Sequence, residues 1–212
     1  MTRLRWLAVC LVCAIPAAGC GGSSEYPSRP VTMIVPWGAG GGTDAVARII
    51  AAQMETVLGQ PVNVVNRTGG SGVVGHQAIA GATPDGYTVG LLTTEVAMMR
   101  HLGLTELTGD SFTPLGLINF DATAIHVRAD SPYRSLGELM QAIRENPGKI
   151  RASGTAQGGI WHVSLYGLLN EQNIPPASVL WVPSASSAAG LLDLVAGGVD
   201  PVSYTHLTLP TN

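Results

Sequence analysis

A glycine-rich loop, residues 38–42, is the feature of this sequence best suited to chemistry. It follows an apolar, β-branched run that predicts a buried strand over residues 31–35, and Thr43 with Asp44 offers an N-cap for the next helix. Since glycine lacks a Cβ atom, such a loop can bring backbone N–H groups close to a ligand, and the helix N-terminus behind it favours negative charge. The segment therefore predicts an anion site built mostly from main chain. A tight strand-to-helix turn without a ligand is the alternative.

Two nucleotide-binding motifs come close to this loop but do not match it. A P-loop requires a lysine followed by serine or threonine, where this chain has Thr43 and Asp44. A dinucleotide fingerprint requires an acidic residue about 20 positions further on, but the second predicted strand leads into Asn66 and Arg67. The histidines fall on separate predicted elements without metal-ligand spacing, and His162 is expected to pack or cap rather than catalyse. We therefore expect no nucleotide, no other cofactor and no metal ion.

The charge composition argues against nucleic-acid binding. Only 12% of the residues are charged, the formal net charge is −3, and the sequence has no basic stripe. An anion site must therefore rest on local amides and a few arginines, because the overall field weakly repels anions. The chain is long enough for one large domain or two small ones.

The first 25 residues predict an export signal. Arg3 and Arg5 precede an apolar run over residues 6–15, which is too short to span a bilayer comfortably. Small residues then lead to Cys20, as in a bacterial lipobox, so we expect Cys20 to be lipidated and residues 21–24 to form a tether. A plain cleaved signal is the alternative. We expect an extracytoplasmic, periplasmic protein held on a membrane surface by its lipid anchor.

Strands and helices alternate along the rest of the chain, which is typical of an α/β fold. A helix is predicted from Ser135, with Glu138 at the capping-box position. Two further loops rich in glycine or hydroxyl residues, 69–75 and 153–159, follow predicted strands, which indicates one cleft lined from several sides. A change of character near residues 119–121 indicates a boundary between domains spanning residues 26–120 and 121–200. Beyond the first strand, we predict strands at residues 62–65, 88–92, 114–119, 123–127, 150–152 and 179–182.

These motifs, taken in order, resemble the extracytoplasmic substrate-binding proteins of tripartite tricarboxylate transporters, also called the Bug family. The resemblance covers residues 26–200 and implies a two-domain periplasmic-binding-protein fold, type II-like, that closes on a small carboxylate. The segments that carry it are residues 26–30, 34–36, 40–44, 58–62, 66–67, 69–75, 84–88, 152–154 with His162, and 193–200.

The resemblance also implies which residues bind a di- or tricarboxylate or a similar organic acid. Asp44 is expected to order the first loop rather than touch the anion. Glu95 stands where family members often carry a small polar residue. Its side chain is expected to recognise an amine, to face solvent or to make a structural contact, and we favour the last two. One carboxylate is expected at Gly38, Ala39, Gly40, Gly41, Gly42, Thr43, Thr93 and Thr94, and the other end of the ligand at Ser153, Gly154, Thr155, Gln157 and Ser184.

The function implied by the resemblance is that of a monomeric binding protein, not an enzyme. It would deliver its solute to the membrane permease subunits of a tripartite tricarboxylate transporter. A ligand sensor for a membrane signalling partner is one alternative, and an exported hydrolase is another. Ser71 and Ser153 lie in glycine-rich segments, but neither matches a nucleophile elbow.

Residues 201–212 do not continue the family pattern. Pro201 is expected to break the strand that family members form here. We interpret residues 201–212 as a non-native tail and expect the fold to be C-terminally truncated, with a genuine truncation of the gene as the alternative.

Overall fold

The computed structural model describes residues 25–120 and 122–204. Strands and helices alternate through both segments, as the α/β prediction requires, and the strands form two sheets. We call residues 25–120 the first lobe and residues 122–204 the second lobe, because each contributes all the strands of one sheet. Cys20, the rest of the predicted export signal up to residue 24, and residues 205–212 lie outside the described residues.

The first lobe contains a three-stranded parallel sheet. Its central strand β1 pairs with β2 on one side and β3 on the other, and Val31 and Val35 are fully buried. β-Branched residues suit such a strand, which is covered on both faces, and the predicted strand at residues 31–35 is confirmed. The elements in chain order are β1 (Val31–Val35), α1 (Gly42–Leu58), β2 (Val62–Asn66), α2 (Val73–Ala80), β3 (Thr88–Gly90) and α3 (Val96–Met99).

The second lobe contains a four-stranded mixed sheet. Its elements in chain order are β4 (Ala124–Val127), α4 (Leu136–Glu145), β5 (Ile150–Thr155), α5 (Ile160–Glu171), β6 (Val179–Ser184), α6 (Ser187–Val195) and β7 (Pro201–Tyr204). The strand order is β4-β7-β5-β6, with β4 antiparallel to β7 and the other pairs parallel. One core cluster lies between this sheet and helices α4 and α5, with Leu139, Ile143, Leu165 and Leu169 among its buried residues.

The predicted N-cap of one helix in the second lobe is confirmed, and that of one helix in the first lobe is not. Ser135 caps α4 as predicted, since its side chain accepts a hydrogen bond from the Glu138 N–H at 3.2 Å. Helix α1, however, begins at Gly42 with Gly41 as its N-cap residue, so Thr43 is not the cap. Among the described residues, no helix has the length and apolar character needed to cross a membrane.

The predicted strand over residues 114–119 is wrong. This segment is irregular and pairs with no strand of the described residues, and Leu115, Leu117 and Phe120 are 82%, 87% and 90% exposed. Its β-branched and apolar residues resemble a strand, but a strand forms only where a partner edge satisfies its backbone.

The expectation that Pro201 breaks a strand is also wrong. Pro201 is the first residue of β7, which lies between β4 and β5, and Val202 and Tyr204 are 0% and 2% exposed. Proline is tolerated at the first position of a strand, where its missing N–H need not interrupt the ladder. The interpretation of residues 201–212 as a non-native tail stays a prediction.

Candidate functional site

The first glycine loop lies against the second lobe. The Gly38 N–H donates a hydrogen bond to the carbonyl oxygen of Ala185 at 3.3 Å, and the Gly42 N–H donates to Ser187 Oγ at 3.0 Å. Gly42 is the first residue of the 17-residue helix α1, where the helix dipole favours an acceptor with negative charge, and Gly38 lies in the loop that leads to it. Two backbone donors of the predicted anion site therefore point towards the second lobe.

Asp44 holds the glycine loop in this shape. Its Oδ2 accepts a hydrogen bond from the Gly40 N–H at 2.9 Å, and Gly40 has a φ of 76°, which glycine adopts readily. Arg48 donates to both carboxylate oxygens, and Asn66 Nδ2 donates to Oδ1 at 2.9 Å. Burial by itself would raise the pKa of Asp44, but the hydrogen bonds from Arg48, the Gly40 N–H and Asn66 hold that pKa below its ordinary value.

A buried histidine positions the loop after β3. His76 is fully buried; its Nδ1–H donates to the Gly72 carbonyl oxygen at 2.8 Å, and its Nε2 accepts from the Thr93 N–H at 3.3 Å. Burial lowers the pKa of His76, which favours the neutral ring that this pattern requires. Trp37 Nε1–H donates to Thr93 Oγ1 at 3.2 Å, whereas Thr94 next to it is exposed. Sequence reasoning missed this role of His76 because its two partners lie on separate segments.

The second group of predicted residues is only partly in a loop. Strand β5 extends through Thr155, not only to Ala152, because it pairs with β6 as far as Ser184. Ser153 is fully buried, and its Oγ has no hydrogen-bond partner among the described atoms. A Cβ atom on Gly154 would lie 2.5 Å from the Trp181 ring, so this glycine packs beneath the ring. The predicted loop at residues 153–159 is therefore corrected to residues 156–159.

The remaining predicted residues lie nearer the boundary between the lobes. Gln157 is exposed, and its carbonyl oxygen accepts a hydrogen bond from Ser71 Oγ at 3.1 Å across that boundary. Ser184 Oγ lies 2.6 Å from Tyr204 Oη. Ser186 caps α6 by accepting from the Ala189 N–H at 3.3 Å. The binding roles of all the predicted residues stay predictions.

Glu95 accepts a fourth hydrogen bond between the lobes. Its side chain is buried, with the residue 4% exposed, and Oε1 accepts a hydrogen bond from the Ile160 N–H at 3.2 Å. Of the roles left open for Glu95, exposure to solvent is wrong and a structural contact is present. His162, in the same helix as Ile160, accepts from the Gly158 N–H through Nδ1 at 3.1 Å and packs against Trp181, as expected of a capping and packing group.

Comparison with known families gives one clear match. The family described as tripartite tricarboxylate transporter family receptor matches residues 46–211 of this chain. A relative from Pseudomonas sp. strain P51, described as the UPF0065 protein in the tcbD-tcbE intergenic region, is 36% identical over 177 residues. That alignment covers 82% of this chain and 52% of the relative.

Solved structures agree with the observed architecture. The periplasmic binding protein BugD has a TM-score of 0.73 and 31% identity, over 84% of this chain and 59% of BugD. MatC from Rhodopseudomonas palustris, solved with bound malate, has a TM-score of 0.73 and 29% identity, over 83% of this chain and 60% of MatC. The chain thus spans between half and two thirds of the length of these proteins, and the resemblance noted in the sequence is confirmed, as is the periplasmic-binding-protein fold class.

Proposed function

Because the chain belongs to the tripartite tricarboxylate transporter receptor family, we propose that it is a periplasmic receptor for a small organic carboxylate. The solute class is that of di- and tricarboxylates and similar organic acids. The receptor captures the acid between its two lobes and delivers it to the permease subunits of a tripartite tricarboxylate transporter. It acts as a binding protein rather than as an enzyme.

One observation carries this proposal: the N–H groups of Gly38 and Gly42 reach towards acceptor oxygens of the second lobe. A carboxylate entering between the lobes offers a charged acceptor in place of the Ala185 carbonyl and the Ser187 hydroxyl. Charge-assisted hydrogen bonds contribute about 1.5–3 kcal/mol each, so a few of them give about micromolar affinity. The malate bound to the similar protein MatC supports the choice of ligand class.

The proposed binding residues fall into two groups. Gly38 to Thr43 with Thr93 and Thr94 contact one carboxylate, and Gln157 and Ser184 face the other end of the solute. Ser153, Gly154 and Thr155 support this second group from within β5, because Ser153 and Thr155 are buried and Gly154 packs against Trp181. Asp44 orders the first loop through the Gly40 N–H.

The proposed location is the periplasm, with the receptor attached to a membrane surface by a lipid on Cys20. The mature protein acts as a monomer, since one chain supplies both sides of the cleft. Mass spectrometry of the protein purified from bacterial membranes tests the anchor: we expect the mass of an acylated chain that begins at Cys20, and an unmodified mature chain contradicts it.

Isothermal titration calorimetry with malate, succinate, citrate and acetate tests the proposed function. We expect about micromolar binding of at least one acid, and an NMR spectrum showing that the acid is recovered unchanged. In Gly38→Val the new side chain starts 3.1 Å from Ser186 Cβ, which should weaken binding by about tenfold or more. Gly116→Val is the matched control, because a Cβ there meets nothing within 4 Å.

Two results contradict the proposal. One is a folded wild-type chain that binds neither these four acids nor monomethyl succinate, and the other is chemical conversion of the acid during incubation. If Gly38→Val and Gly116→Val instead lose affinity equally, the glycine loop is not part of the binding site.

A further inference from the structure

Glu95 is a buried carboxylate placed between the two lobes. The residue is 4% exposed, and it follows Thr93 and Thr94 as the N-cap residue of α3 in the first lobe. Its Oε1 accepts a hydrogen bond from the N–H of Ile160, the first residue of the 12-residue helix α5 in the second lobe. The first lobe thus supplies an anionic group to the amino end of a second-lobe helix.

Within the part of the chain that the structure describes, Glu95 forms no ion pair. His76 lies close enough to interact electrostatically with Glu95, but burial lowers the pKa of His76, so the ring is neutral at neutral pH. The backbone donor and the positive end of the α5 dipole are therefore the groups seen to stabilise the negative charge of Glu95.

Glu95 lies at the helix end that directly follows the loop of Gln157, one of the proposed binding residues. An ideal Cβ atom on Gly159, the N-cap residue of α5, would lie 3.5 Å from Glu95 Oε1. The loop at residues 156–159, which includes Gln157, leads directly into this helix end. Any second carboxylate of a solute that approached this helix end would meet both an occupied donor and a like charge on a buried side chain.

We infer that Glu95 is a specificity-determining residue that substitutes for the second carboxylate of a solute and restricts the receptor to acids with one carboxylate and an uncharged far end. This inference rests on the proposed function. It keeps the class of small organic carboxylates and replaces the preference for di- and tricarboxylates given there by one for monocarboxylates. The single carboxylate of the solute meets the loop at Gly38 and Gly42, and the far end lies towards Glu95. Dicarboxylates of the same size are disfavoured by repulsion rather than by shape.

Succinate and monomethyl succinate form the decisive pair of probes, because the ester removes one negative charge and adds only a methyl group. Calorimetric titration of the wild-type chain at neutral pH should give an affinity for the ester at least about tenfold higher than for succinate. Glu95→Gln keeps the size of the side chain and removes its charge. In this variant the preference for the ester should fall to about threefold or less.

Glu106→Gln is the matched control. Glu106 belongs to the same lobe, its side chain is 92% exposed, and it pairs with Arg100 at 3.5 Å away from α5. This variant loses the same formal charge and should keep the wild-type preference, which separates a local effect at Glu95 from a change in the overall field.

The outcomes separate the inference from the proposed function. Equal binding of succinate and its ester by the wild type, or an unchanged preference in Glu95→Gln, overturns the role of Glu95 and leaves the carboxylate receptor intact. If the folded wild type binds neither succinate nor its ester and no acid of the calorimetric panel, both the role of Glu95 and the proposed receptor function are overturned. If Glu95→Gln does not fold, the ratio of the two wild-type affinities decides the question alone.

Discussion

At the scale of single residues, Asp44 connects the stability of the chain with the shape of its glycine loop. It is 3% exposed, and its oxygens accept hydrogen bonds from Gly40, Arg48 and Asn66. In Asp44→Asn one of the two accepting oxygens becomes an NH2 group. That group would face either the Gly40 N–H or the Asn66 NH2, and both of these are donors. In either orientation, one of the hydrogen bonds that hold Asp44 and the loop in place would be lost.

We predict that Asp44→Asn lowers the free energy of unfolding at neutral pH by about 1.5–3 kcal/mol, the usual range for a hydrogen bond to a charged group. The pKa of Asp44 is lower in the folded than in the unfolded chain, so this stabilisation is present above the unfolded value of 3.8 and is lost as the pH falls through the folded pKa. The difference between wild type and variant should therefore shrink in acid.

Urea unfolding at a series of pH values measures this difference. Asp130→Asn is the control, because Asp130 pairs with Arg128 on the surface and should change stability little. A stability difference for Asp44→Asn that stays constant down to pH values well below 3.8 would contradict the assigned cause of the pKa shift.

The sequence predicted part of the candidate site because the relevant signal is local. Four glycines within residues 38–42 and Asp44 just after them are visible in a single window. The partner of the Gly42 N–H, Ser187 Oγ, lies 145 residues further along the chain, and the partner of Glu95 lies 65 residues away. A local sequence pattern cannot predict a hydrogen bond between residues so far apart in the chain. For this reason the burial of Glu95 could be seen only in the structure.

At the scale of elements, pairing decides where strands end. β5 reaches Thr155 through Gly154, although glycine weakens a strand, because its backbone pairs along the full length of β6. The opposite case is the segment at residues 114–119, which has strand-like residues but no partner among the described strands. Strand cores such as β1 were predictable from composition, whereas strand ends depended on neighbours distant in sequence.

Two glycine-to-alanine substitutions should change stability in opposite directions. In Gly154→Ala the added Cβ lies 2.5 Å from the Trp181 ring and 2.9 Å from Trp161 Cβ, so we expect a loss of about 1–3 kcal/mol from overpacking. Gly167 lies within α5 with nothing within 4 Å of an added Cβ, and Gly167→Ala should gain about 0.5–1 kcal/mol from helix propensity. Chemical denaturation of both variants measures the two effects, and equal signs would contradict the packing described here.

At the scale of the whole molecule, the two lobes meet through loops that follow the strands of both sheets. Gly38 and Gly42 reach α6 and the residues before it, Ser71 reaches Gln157, and Glu95 reaches Ile160. Each lobe has its own core, so a solute bound at this boundary can change how the lobes meet without disturbing either core.

The proposed function requires that the backbone N–H groups of the first glycine loop bind the carboxylate of the solute. Two-dimensional NMR of the chain labelled with ¹⁵N-glycine, recorded during titration with monomethyl succinate and with succinate, tests this binding. We expect the amide signals of Gly38 and Gly42 to shift on binding, while those of Gly116 and Gly137, away from the loop, stay in place. Binding that leaves the Gly38 and Gly42 signals unchanged would contradict it.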